Sequence, residues 1–291
     1  MRMIFRLIAL LIPILNFAVP QALHRYTFPP FISGDLFREY SDFAYDDNDT
    51  SMNPKGVMHG NTVFVQTDLL KTFFKTVHPL IVNPYILITH NSDASAPGPF
   101  RGHLDDPMIL AWFGENHDGY DHPKMHVIPM GTANFNWPNG NGDTIKKVIA
   151  KNCSKEHLTH MGFTIQTNYN ERWNVFRQFS QAPFCYRTIK KVYEGYLTDV
   201  ASSKFEISPL GFALDTYRLW ECLYVGTIPI VRTSSLDALY EGLPVLIIKD
   251  WKTVTQAFLE EKYLEFSKKT FNMEKTTMEY WIRQMDACKV Q

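Results

Sequence analysis

Short apolar runs rich in β-branched and aromatic residues alternate along the chain with stretches whose apolar positions recur every three or four residues. The first pattern marks strands, the second amphipathic helices. Strands are expected in "NTVFVQT" (61–67), "PYILITH" (84–90) and "HVIPMG" (126–131), the last ending at Gly131, while "DDPMILAWFGEN" (105–116) contains another strand or a helix running into one. Helices are expected in "DLLKTFFKTV" (68–77), capped by Asp68, and "TIKKVIAKN" (144–152). A second alternation begins near His157. It has a strand in "HMGFTIQT" (160–167), helices in "NERWNVFRQFS" (170–180) and "YEGYLTDVASS" (193–203), and a strand in "KFEISP" (204–209). Strands "IPIVR" (228–232) and "LPVLII" (243–248) follow, then two closing helices (252–270 and 275–287). Residues 24–60, rich in Asp, Asn, Pro and Gly, read as a loop-heavy opening segment.

Strand–helix alternation predicts α/β domains with parallel sheets. The two blocks predict two such domains, over 23–155 and 156–291, facing one another across a cleft. In open α/β sheets, ligands bind beyond the carboxyl ends of the strands. "SPLGFALDTYRLWECLYVGTIPIV" (208–231) starts at such an end. Gly211 permits a tight or left-handed turn. Asp215 or Thr216 can cap the helix that follows, leaving amide groups suited to a phosphate. Tyr217, Leu219, Trp220, Leu223 and Tyr224 cover most of that helix, so it should be buried. Arg218 and Glu221 share the remaining face with Asp215 and Cys222. They are either a structural ion pair or a cleft wall, with Arg218 for phosphate oxygens and Glu221 for the two ribose hydroxyls.

With 29 Lys and Arg against 30 Asp and Glu in 291 residues, the chain lacks the basic excess of a nucleic-acid-wrapping protein. Arg2 and Arg6 precede an apolar run from Leu7 to Val19. That is the layout of a signal peptide or a short membrane anchor over 1–22. Sequons begin at Asn48 and Asn152. Four cysteines suit an oxidising compartment, although Cys222 reads as a buried small hydrophobe.

"KFEISPLGFALDTYRLWECLYVGTIPIV" with "LYEGLPVLIIKDW" resembles the nucleotide-sugar-binding part of exostosin-type glycosyltransferases, matching at Pro209, Gly211, Arg218, Glu221, Gly226 and Pro229. A looser likeness runs from His59 to Asn170; Leu210, Phe212 and Cys222 depart from the family pattern. The resemblance implies a GT-B fold of two Rossmann-like domains. It also implies inverting, metal-independent transfer from a UDP- or GDP-sugar to a glycan or glycoprotein acceptor, in the Golgi or endoplasmic reticulum. Two other readings compete with it: an inactive glycan-binding relative, and a secreted glycosidase with paired carboxylates.

Inverting transfer needs a base for the acceptor hydroxyl and a cationic setting for the leaving diphosphate. Asp93 and His90, at the end of "LITHNSD", are the candidate bases, with Asp105 and Asp106 as rivals; the alternative is a plain strand-end turn at Asn91 and Ser92. Arg172, opening a helix, is the candidate diphosphate ligand carried over from the family, with Lys190 and Lys191 as alternatives. His117, Asp118, Asp121 and His122 form a mixed cluster that would hold a metal only if the four converged. Asp47-Asn48-Asp49 formally matches an Asp-x-Asp metal motif but reads as surface loop.

Overall fold

A computed structural model of the chain describes residues 31–188 and 191–289. The expected signal or anchor segment and Lys190 lie outside the described residues. The first lobe carries α1 (Gly34–Tyr40), β1 (Phe43–Tyr45), β2 (Thr62–Gln66), α2 (Leu70–Thr76), β3 (Tyr85–His90), β4 (Ile109–Gly114) and β5 (Met125–Val127). Then come α3 (Gly142–Ala150), β6 (His157–Met161), α4 (Tyr169–Phe179), β7 (Cys185–Arg187), α5 (Tyr193–Ala201) and β8 (Ser203–Ile207). The chain closes with α6 (Tyr217–Tyr224), β9 (Ile228–Arg232), β10 (Leu246–Ile248), α7 (Gln256–Phe266) and α8 (Met278–Cys288).

The strands form two five-stranded sheets, parallel throughout, in the orders β1-β2-β3-β4-β5 and β10-β9-β8-β6-β7. This is the expected α/β class: two parallel-sheet, Rossmann-like lobes facing a cleft. Strand order in the second sheet reverses between β6 and β8, which opens a crevice above their carboxyl ends.

Both faces of the first sheet are apolar, as helix-covered parallel sheets require. Val63, Val65, Leu87 and Trp112 pack under Phe73 and Phe74 of α2. Phe64, Ile86, Ile88 and Phe113, one step away in register, join a cluster with Leu36 and Phe37 of α1, Trp220 of α6, and Trp281 and Met285 of α8. The last helix therefore returns to the first lobe, where Tyr40 donates its hydroxyl to Asp286 (2.6 Å). The second sheet packs Phe205, Ile207 and Ile230 against Val175 and Phe179 of α4 and Leu259 of α7. Helix α3, on the first-lobe side of the expected division at 155, packs its Ile145 and Val148 on Leu197 and Ala201 of α5.

The opening segment contains α1 and β1, where the sequence reads as loop. Asp68 does not cap α2; it lies in a 3-10 turn over Thr67–Leu69, and the cap is Leu69. The strand expected over 160–167 starts earlier and stops at Met161. The strand expected to reach Gly131 ends at Val127. Gly226, at φ +70°, ends α6 in the left-handed conformation that glycine adopts without steric cost. All four cysteines are free thiols, and Asn48 and Asn152 are exposed.

Candidate active site

A cleft of about 780 Å³ lies over the crevice of the second sheet. Its size is that of a small-molecule site. Asp93, Met130, Trp137 and Asn139 line it from the first lobe. Gly162, Phe163, Arg172, Gly211, Arg218 and Glu221 are among the residues facing them.

Helix α6 sends its apolar side, Leu219, Trp220 and Leu223, into the inter-lobe core. That leaves Arg218 and Glu221 on the cleft wall. The pair is not locked in a mutual salt bridge. Arg218 donates to the Gly162 carbonyl (3.1 Å), and its Nε stands 3.5 Å from Glu206 on β8. Arg218 Nε and Glu221 Oε1 are both buried without a hydrogen-bond partner. Burial raises the Glu221 pKa and the Arg218 charge opposes it. The hydroxyls of Tyr193 and Tyr196 approach this carboxylate without hydrogen-bond geometry and also favour its charge.

Arg172 lines the cleft, but its donors are largely committed. It donates to the carbonyls of Leu210 (2.7 Å), Thr164 (2.8 Å) and Pro209 (3.3 Å), and to the Thr167 hydroxyl. It therefore staples the loop after β6 to the loop after β8, and one N–H of its five is left over. Burial, with the Arg218 charge adding to it, lowers its pKa to about 9. The Phe163 ring is in contact with both guanidiniums, its centroid 5.6 Å from Arg172 and 5.8 Å from Arg218. Two cations close enough to repel make a seat for an anion.

Gly211 is not left-handed. A Cβ there would stand 3.2 Å from the Arg172 Nη2, a tight contact that the guanidinium would have to yield to by a few tenths of an ångström. Thr216 is the N-cap of α6, but its hydroxyl pairs with Ser208 (3.2 Å) and not with the helix. Among the described residues the Tyr217 and Arg218 amides have no partner, so the start of α6 presents free N–H groups. Asp215, expected to serve the ligand, lines the cleft, but its carboxylate is already engaged within the protein. Its oxygens accept from Met130 N, Trp220 Nε1, Thr216 N and Tyr240 Oη, at 2.7 to 3.2 Å. A carboxylate with four donors joins α6 to the first lobe and has little capacity left for a substrate.

Of the two candidate bases, Asp93 faces the cleft and His90 does not. Burial, with Asp68 nearby, raises the Asp93 pKa. His90 is buried at the end of β3. Its Nδ1 accepts from Asn91 N (2.8 Å), so Nε2 holds the proton and donates to the Pro129 carbonyl (3.1 Å). With both nitrogens engaged, His90 holds a strand-end turn in which Asn91 is left-handed at φ +63°. Burial lowers its pKa to about 4. A histidine whose folded pKa is depressed favours the fold above its unfolded value near 6.5, and that contribution fades as pH falls toward 4. It should amount to about 3 kcal/mol. Glu115, 3.4 Å from His90 Nδ1 and held by burial well above the carboxylate range, has the opposite slope. The His90 share is therefore read as the difference between wild type and His90→Gln in urea midpoints from pH 7 to pH 4. Parallel curves would refute it.

The rivals Asp105 and Asp106 sit at the far edge of the first sheet, outside the cleft lining. Lys191 does line the cleft and pairs with Asp199 (2.7 Å). The mixed cluster does not converge: His117 contacts the Tyr120 carbonyl (3.0 Å), while His122 turns to Asp105 (3.5 Å). Asp47, Asn48 and Asp49 are exposed and away from the cleft.

One constellation escaped sequence reasoning. His160 on β6 and Glu206 on β8 are register partners beneath the crevice, both fully buried. His160 Nδ1 lies 2.5 Å from Glu206 Oε2, and His160 Nε2 lies 2.8 Å from the hydroxyl of Thr188, a cleft residue. The Glu206 carboxylate thus sits between His160 and Arg218 and fixes where the Arg218 fork can be. The available signal was a polar residue in the buried half of each strand.

No family model and no curated protein sequence matches the chain. Among solved structures it is similar to the GtfA/B complex, with a TM-score of 0.37 and 10% identity over 81% of this chain and 58% of that one. It is also similar to the catalytic domain of starch synthase IV from Arabidopsis thaliana bound to ADP and acarbose, with a TM-score of 0.34 and 10% identity over 80% of this chain and 69% of that one.

Proposed function

We propose that the chain is a glycosyltransferase that binds a nucleotide diphosphate sugar in the inter-lobe cleft and passes the sugar to a carbohydrate or glycoprotein acceptor. One observation carries this reading. The Arg218–Glu221 face lies on the cleft wall at the strand-order reversal, beside a second guanidinium and the free amides of α6. Cations and amides suit a diphosphate. A carboxylate one helical turn further suits a ribose diol. Asp93, across the cleft, is the base for the acceptor hydroxyl. Exposed Trp137 and Phe212 on opposite lips offer apolar faces to the sugar or the base. The motif likeness to exostosin-type enzymes supports a UDP- or GDP-sugar donor, inversion at the anomeric carbon and a site in the secretory pathway.

The test is thermal unfolding of the purified chain with UDP or GDP. At a hundredfold excess over Kd, a bound nucleotide should stabilise the fold by about 2.7 kcal/mol. Glu221→Ala should remove most of that gain while still melting cooperatively. If neither nucleotide moves the transition, the transferase reading falls.

A further inference from the structure

At the N-terminal end of the first sheet's central strands, opposite the cleft, where β3 and β4 begin, His78, His103 and Asp106 come together. One ligand atom from each lies within 4.8 Å of the others. Among the described residues no other trio of His, Cys, Asp or Glu does so. We propose that these three side chains form a site for a divalent transition metal of the zinc class, which ties the turn after α2 to the segment leading into β4.

The three side chains are oriented towards one another; at His78 a metal would replace the Nε2 proton now donated to Asp106, and Nδ1–H would then donate to the Tyr85 hydroxyl. His78 Nδ1 lies 3.0 Å from the hydroxyl of the fully buried Tyr85, which directs Nε2 toward Asp106. Asp106 Oδ1 accepts from Met108 N (2.8 Å), leaving Oδ2 3.0 Å from His78 Nε2. The His103 ring lies flat on Phe74, with centroids 3.7 Å apart and planes 3° apart, and edge-on to His78. Stacking thus fixes the ring, while its nitrogens have no hydrogen-bond partner among the described residues. Outer contacts of this kind orient the ligands of metal sites. Zinc bonds of about 2.0–2.2 Å place neighbouring tetrahedral ligands ~3.3 Å apart, close to the His78–Asp106 spacing. Two imidazoles and one carboxylate disfavour calcium and magnesium, which take oxygen. His103 and Asp106 are half-buried, so a fourth position can hold water. The location, away from the cleft, makes this a stabilising site that takes no part in sugar transfer.

The full chain, stripped with a chelator, would be titrated with Zn²⁺ by calorimetry and melted with and without the ion. One equivalent should bind and raise Tm. His103→Phe keeps the ring on Phe74 and removes the ligand, and Asp106→Asn removes the charge. Each should weaken binding at least tenfold and abolish the Tm gain. Tyr85→Phe should weaken binding roughly tenfold through loss of ligand orientation. Co²⁺ in place of Zn²⁺ should give the visible absorption of a tetrahedral site in wild type only. Zinc affinity unchanged in His103→Phe and Asp106→Asn, or no zinc binding by wild type, overturns the proposal.

Discussion

Asp93→Asn should lower the transfer rate by about 10²- to 10⁴-fold, the usual contribution of a positioned general base. The substitution is close to isosteric at a position on the cleft surface that is only partly desolvated, so folding and nucleotide affinity should stay as they are. The loss should fall on kcat. The pH profile carries independent information. A base works deprotonated, and the Asp93 pKa is raised by burial and by Asp68, so wild-type activity should drop as pH falls through that raised value. The acid limb should be missing from what activity Asp93→Asn retains. Donor and acceptor turnover, followed from pH 4 to pH 8, checks both points. An unchanged kcat would remove Asp93 from the chemistry.

Glu206→Ala should be the most damaging single change to the fold. Its carboxylate lies between His160 and Arg218, out of contact with solvent. Deleting one member of a buried charged group leaves the others uncompensated and costs about 3–5 kcal/mol. For a chain of this size Tm should fall by on the order of 10 °C. Glu206→Gln keeps an acceptor for His160 and should cost less. Nucleotide stabilisation should weaken in both variants, because the Arg218 fork loses its anchor. Chemical denaturation with and without nucleotide separates the two effects. A Glu206→Ala protein as stable as wild type would show that the buried group is solvated.

What the sequence disclosed depended on how local each feature was. Helix α6 was legible because Gly226 and Pro229 punctuate it and its apolar positions circle the axis. Its polar notch had to open somewhere, and it opens on the cleft. The class of fold followed from alternation alone. Strands β1 and β7, three residues each, are too short to show a period. Strand β6 was misplaced because "GFTI" continues its apolar character, while Gly162 and the turn over Ile165–Asn168 take the chain out of the sheet. The roles of Asp215 and Arg172 turned on partners far along the chain, such as Met130, Tyr240 and Leu210. A cap and a surface cation are indistinguishable in sequence from a lobe joint and a loop staple. His160 and Glu206 meet through strand register, and His78 meets Asp106 by the folding back of a turn; neither follows from spacing.

The return of α8 to the first lobe has a mechanical meaning. The lobes share one apolar mass in which Phe64, Trp220 and Met285 are joined. Cutting the chain near residue 155 would divide that mass, while the cluster under α2 and the cluster against α4 would each stay whole within one lobe. For the same reason, any closing of the lobes is expected as small sliding of packed helices, since a free swing about a flexible strap would tear that common interior.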